Sequence, residues 1–107
     1  MTRYWISFDL GLNGDYDPLY AWLDRQDAKE CGDSVATFFS DKSRDQITKE
    51  LSTVLGKKTR NTPMPQVNPR IYIISMKVGG KFIFGKRKKF PPWKGYAEVE
   101  VDSGDEM

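Results

Sequence analysis

Hydrophobic and polar positions change their period several times along this chain, and each change marks an element. Tyr4-Trp5-Ile6-Ser7-Phe8-Asp9-Leu10-Gly11 is a short, mostly apolar run rich in aromatic and β-forming residues, followed by the loop Leu12-Asn13-Gly14-Asp15. A run of this length between turn residues predicts a strand buried on both faces, and so the central strand of a small sheet. Asp17-Pro18 then predicts a helix start, with Asp at the N-cap and Pro at the first helical position, where its missing N–H is not needed. Tyr16, Leu19, Trp22 and Leu23 share one face at helical spacing and Asp24 to Asp27 take the solvent side, giving a helix over 17–27.

The period returns to two after this helix. Gly32-Asp33 divides Ala28–Phe39 into a short strand at 28–31 and a longer one at 34–39, as a hairpin or one bulged strand. Ser43-Arg44-Asp45-Gln46 is a capping box, and Ile47, Leu51, Val54 and Leu55 follow as an amphipathic stripe. Gly56 is placed to end that second helix in a left-handed cap. Lys57 to Pro69 is a polar connection without periodicity, long enough to be mobile or functional.

Residues 70–78 read as a second buried strand, Gly79-Gly80 as a hairpin turn, and 81–84 as the returning strand. The basic run Lys86-Arg87-Lys88-Lys89 and the stiff Phe90-Pro91-Pro92-Trp93 come next. Residues 96–101 alternate apolar and acidic types, as in a half-exposed edge strand or an arm.

This order predicts a ferredoxin-like α+β sandwich. Two helices would lie on one face of a four- to five-stranded antiparallel sheet, with the C-terminal hairpin as an extension. Strands one and four would run parallel at its centre. Residues 1–101 form a single domain in this reading, and 102–107 a disordered acidic tail. Trp5, Tyr72, Phe82, Phe84 and Trp93 are too many aromatics for an open sheet face to leave wet, so a homodimer joined sheet to sheet is expected.

Composition narrows the chemistry. The chain has 107 residues, 38% hydrophobic and 30% charged, as in one globular domain with a modest core. Its apolar runs are too short to span a membrane, and no basic region followed by an apolar stretch marks a secretory signal. A single cysteine, Cys31, permits no internal disulfide and no cysteine cage for zinc. No disulfide-linked partner and a cytoplasmic address are expected. The absence of histidine removes Ser-His-Asp and Cys-His mechanisms and imidazole ligands. Charge is segregated: residues 1–55 carry 6 Lys/Arg against 10 Asp/Glu, and residues 56–100 carry 11 against 2.

The opening strand Tyr4–Leu10 resembles that of the small CRISPR-associated proteins of the adaptation complex and, more closely, their uncharacterised SinR-like relatives. Asp15-Tyr16, Leu19-Tyr20, Ser34-Val35-Ala36-Thr37-Phe38 and Ile47 follow in the order of those relatives, and the resemblance covers residues 3–78. It implies a ferredoxin-like dimer with a link to nucleic acid. It also implies that the acid closing the first strand, here Asp9, can hold Mg2+ between two protomers.

Two roles fit Asp9. As a metal ligand and catalytic group, aided by Ser7 and Asn13, it would help activate water against a phosphodiester. As a loop acid, it would accept backbone N–H bonds in the Gly11–Gly14 turn. The Asn13–Asp17 acids lack calcium-loop spacing and fit helix capping better. For RNA or DNA, the candidates are Lys57, Lys58, Arg60, Lys81, Lys86, Arg87, Lys88, Lys89, Trp93 and Lys94, with Phe90 and Tyr96 interleaved for stacking on unpaired bases. Three functions remain: a nucleic-acid-binding dimer, a magnesium-dependent nuclease using Asp9, and an interaction module such as accessory cargo on a mobile element.

Overall fold

The computed structural model describes residues 1–12, 14–56 and 69–97. Its elements in chain order are β1 (Thr2–Asp9), α1 (Asp17–Arg25), β2 (Lys29–Glu30), β3 (Val35–Ser40), α2 (Arg44–Gly56), β4 (Arg70–Ser75) and β5 (Gly79–Phe84). The strands form one sheet in the order β2-β3-β1-β4-β5, with every neighbouring pair antiparallel. The opening run is therefore the middle strand, as its pattern predicts. The fold is a ferredoxin-like α+β sandwich, with β5 extending the sheet beyond β4.

β1 and β4 are neighbours but not parallel. Tyr4 pairs with Ser75 and Asp9 with Arg70, so the strands run in opposite directions. Each helical connection skips a strand, α1 carrying the chain past β3 and α2 carrying it past β1. The strands that share a direction are thus never adjacent.

β1 is also buried on one face rather than two. Tyr4, Ile6 and Phe8 point into the core, whereas Arg3, Ser7 and Asp9 are exposed and Trp5 is half-buried. Successive strand side chains take opposite faces, so a continuous apolar run still presents two environments. The inner residues of β1 join Ala36 and Phe38 of β3 and Ile71 and Ile73 of β4. Leu19, Trp22 and Leu23 of α1 and Ile47, Leu51 and Leu55 of α2 cover them, so both helices lie on the same face. Complete burial of a side chain such as Ile6 or Leu51 contributes roughly 1.5–3 kcal/mol. The Tyr4 hydroxyl donates to the Lys42 carbonyl at 2.7 Å, and burial raises its phenol above the ordinary tyrosine range.

The helix ends show which local signals act. Tyr16, not Asp17, is the N-cap of α1; Asp17 is the first helical residue, and its N–H donates to the Asp15 carboxylate at 3.1 Å. The helix stops at Arg25, two residues early, because the Gln26 and Ala28 N–H groups both return to the Leu23 carbonyl and Asp27 turns to φ 54°. The capping box of α2 forms reciprocally: Gln46 N–H donates to Ser43 Oγ at 3.2 Å, and Ser43 N–H donates to Gln46 Oε1 at 2.7 Å. Gly56 is the last residue of the helix and has no left-handed φ.

The β2–β3 segment resolves as a hairpin, with Cys31 N–H bonded to the Val35 carbonyl at 2.8 Å. The β4–β5 hairpin turns at Met76-Lys77-Val78, earlier than the glycines suggest. Gly79, at φ 72°, pairs with Ser75 and starts β5, which makes it the left-handed residue closing a three-residue loop. Tyr96 and Ala97 are helical rather than extended; the rest of the expected 96–101 strand and the acidic tail lie outside the described residues.

Candidate nucleic-acid interface

Among the described residues, the helices leave the other face of the sheet open. Register fixes its occupants, because directly paired residues share a face. Arg3 pairs with Phe39, Trp5 with Thr37 and Ile74, Ser7 with Tyr72, Asp9 with Arg70, and Tyr72 with Phe82. Aromatic rings and guanidinium groups thus meet at both ends of the face. On β1–β3, the Arg3 guanidinium lies 4.4 Å from the Phe39 ring centre and 5.7 Å from that of Trp5. On β4–β5, Tyr72 and Phe82 meet edge to face at 4.9 Å. Arg70 lies 5.6 Å from Phe82, and Arg87 lies 5.4 Å from Phe82 and 5.7 Å from Tyr72. All are within cation–π range.

The second cluster surrounds an open hollow of about 330 Å³. Tyr72 and Phe82 line it with Arg70, Arg87, Ser7 and Asp9. The Tyr72 ring lies across Gly80, where a Cβ would come within 2.6 Å of the tyrosine oxygen and displace the ring. The glycine therefore sets where the ring can rest.

Asp9 serves the loop at the rim of this hollow. One carboxylate oxygen accepts the Gly11 N–H at 2.9 Å, and the other lies 3.7 Å from the Arg70 guanidinium. A cation would have to share this acid with a fixed positive charge, and no group of three acidic or cysteine side chains gathers among the described residues. Mg2+ keeps several of its waters and binds through one or two carboxylates, and the carboxylate at this rim already faces Arg70. Ser7 stands beside Asp9 in the hollow. Asn13 lies outside the described residues.

The basic segment leaves β5 at Gly85 and is tied to the open face at its start. Arg70 Nε–H donates to the Lys86 carbonyl at 3.3 Å, and Arg87 folds over the two rings. Lys88, Lys89 and Lys94 are exposed beyond it, with the Lys89 ammonium 5.7 Å from the Phe90 ring centre. Phe90, Trp93 and Tyr96 are 68%, 73% and 66% exposed, so they do not fill a core.

The expected binding residues are brought together only in part. Lys86, Arg87, Lys88, Lys89, Trp93 and Lys94 form one exposed stretch. Lys81 pairs with Ile73, an inward-facing residue, and so leaves the edge strand on the helix side. Phe84 likewise pairs with Ile71 and packs against the core instead of the open face. Lys57, Lys58 and Arg60 lie outside the described residues.

Arg3, Phe39 and Arg70 were not singled out by the charge runs. The available signal was spacing: Arg3-Tyr4-Trp5 and Arg70-Ile71-Tyr72 each place a cation and an aromatic two residues apart, hence on one face. No protein family, curated protein or solved structure matches this chain. No described helix is long and apolar enough to cross a membrane.

Proposed function

We propose that this protein binds nucleic acid through its C-terminal basic and aromatic segment. One observation carries the reading. Residues 69–97 contain Arg70, Lys77, Lys81, Lys86, Arg87, Lys88, Lys89 and Lys94 and no Asp or Glu, and the cations from Lys86 onward are exposed among exposed rings. Each phosphate contact made by such a surface releases condensed counterions, and the rings offer stacking surfaces to bases. The resemblance to CRISPR-associated adaptation proteins leads to the same class of ligand. Nuclease activity at Asp9 lacks comparable support, since that carboxylate is already shared between Gly11 and Arg70.

Fluorescence anisotropy with labelled single-stranded RNA and duplex DNA, titrated from low to physiological salt, tests the proposal. Binding at low salt with a dissociation constant of roughly micromolar order, weakening steeply as salt rises, is the expected result. No binding at low salt to either ligand overturns it.

A further inference from the structure

We propose that the open sheet face receives the bases of an unpaired strand, with the hollow beside Tyr72 and Phe82 taking one base and the Arg3–Trp5–Phe39 cluster forming a second station. This rests on the nucleic-acid reading above and assigns its substrate class: single-stranded rather than duplex.

The chemistry of the face selects that ligand. Bases stack on aromatic rings and on guanidinium planes, and both occur together at each end of the sheet. Phe39 is half exposed, and Trp5, Tyr72 and Phe82 are accessible in part. Arg87 rests against the rings from the exposed stretch after β5, so it can lift onto the outer side of a base or turn to a phosphate. The Ser7 hydroxyl stands at the side of the hollow, where base edges present N–H donors. A duplex keeps its base faces stacked inside, out of reach of a sheet surface.

The basic segment begins at the same hollow. Lys86 and Arg87 adjoin Arg70, so a strand whose base enters there meets Lys88 and Lys89 along its backbone. A second copy of the chain fits less well. Sheet-to-sheet packing would oppose Arg3, Arg70 and Arg87 with the same arginines, with only Asp9, already held by Gly11 and Arg70, to offset them within this patch.

The test compares a labelled single-stranded oligonucleotide with an abasic oligonucleotide of the same length, in RNA and DNA forms for the base-bearing strand, alongside the matching duplex. The base-bearing strands should bind at least about tenfold more tightly than the abasic strand. Tyr72→Leu and Phe39→Leu should each weaken them about tenfold and leave abasic binding unchanged. Circular dichroism checks that Tyr72→Leu folds, and the half-exposed Phe39 provides a variant independent of that packing. Equal affinity for base-bearing and abasic strands overturns the inference and leaves the basic-segment reading standing. No binding to any of these ligands overturns both. Sedimentation showing a dimer broken by Phe39→Asp, with no gain or loss of strand binding, assigns the face to a second copy and overturns the inference.

Discussion

Asp9 and Arg70 face each other across the β1–β4 pair, with a guanidinium nitrogen 3.7 Å from a carboxylate oxygen. The pair joins the middle strand to the rim of the basic surface, and it makes Asp9 informative whichever function holds. It is exposed enough that its net contribution to stability is below about 1 kcal/mol. Asp9→Asn keeps an oxygen for the Gly11 N–H and removes the charge that faces Arg70. Urea unfolding should therefore register a loss of less than about 1 kcal/mol. Nucleic-acid affinity at low salt should rise about two- to threefold as Arg70 is released. Weakened binding, or the loss of a magnesium-dependent cleavage, would instead place Asp9 at the centre of the chemistry.

The lysines beyond Arg87 make a separate contribution, measurable as a salt slope. Lys86, Lys88 and Lys89 are exposed, so replacing all three with Gln should leave the unfolding midpoint nearly unchanged. For single strands, each lost phosphate contact lowers the slope of log affinity against log salt by about 0.7. The triple variant should lose about two units of slope. An unchanged slope would mean that these ammonium groups remain solvated in the complex.

Sequence pattern reached most of this fold because periodicity and caps act locally. Ser43 and Gln46 specify their own reciprocal bonds, and Ile47, Leu51 and Leu55 need only a helix to share a face. Asp17-Pro18 announced a helix, but the Asp15 side chain supplies the bond to the Asp17 N–H, so the cap shifted by a residue. Facts that depend on strand pairing were less legible. Trp5 looks like a core residue in a continuous apolar run, and only the placement of both helices on the other side leaves it half exposed. The candidate site was legible as a charge run and not as a surface. Arg87 reaches Tyr72 and Phe82 only because β5 returns beside β4, and Arg3 meets Phe39 only through the β1–β3 register.

Glu50 links the two helices and sets a dependence on pH. The Trp22 indole N–H donates to its carboxylate at 3.1 Å, and the Lys42 ammonium pairs with it as well. The hydrogen bond from Lys42 is the main cause that holds this carboxyl below the ordinary glutamate value of 4.5; partial burial opposes the shift, and Trp22 adds to it. A carboxylate whose pKa is lower in the folded chain than in the unfolded one contributes stability above the unfolded value, and that stability is lost as pH falls through the folded value. Glu50→Gln should therefore be less stable than the unaltered protein by a constant amount, about 1 kcal/mol, from pH 7 down to about 5. The difference should close as the pH drops below the ordinary glutamate range. Urea unfolding of both proteins at pH 7 and pH 3 measures it, and a difference that widened in acid would contradict this account.

Phe38 and Phe39 are adjacent in sequence and opposite in role, so they separate folding from binding. Phe38 is 3% exposed, stacked on Tyr4 at 5.6 Å and edge-on to Trp22 at 5.3 Å, at the centre of the helix-covered face. Phe38→Ala removes those contacts and leaves a cavity, which should cost about 3–5 kcal/mol. That is a large part of the 5–15 kcal/mol typical of a domain. Phe39 is 50% exposed and lies under the Arg3 guanidinium on the open face. Phe39→Ala should lose about 1 kcal/mol or less in urea unfolding, while strand affinity falls about tenfold. The expected pattern is thus a stability loss without a specific binding defect at 38, and the reverse at 39. A Phe39 variant that unfolds as readily as the Phe38 variant would mean that this face is packed in solution, and its aromatics would then belong to an interface between chains.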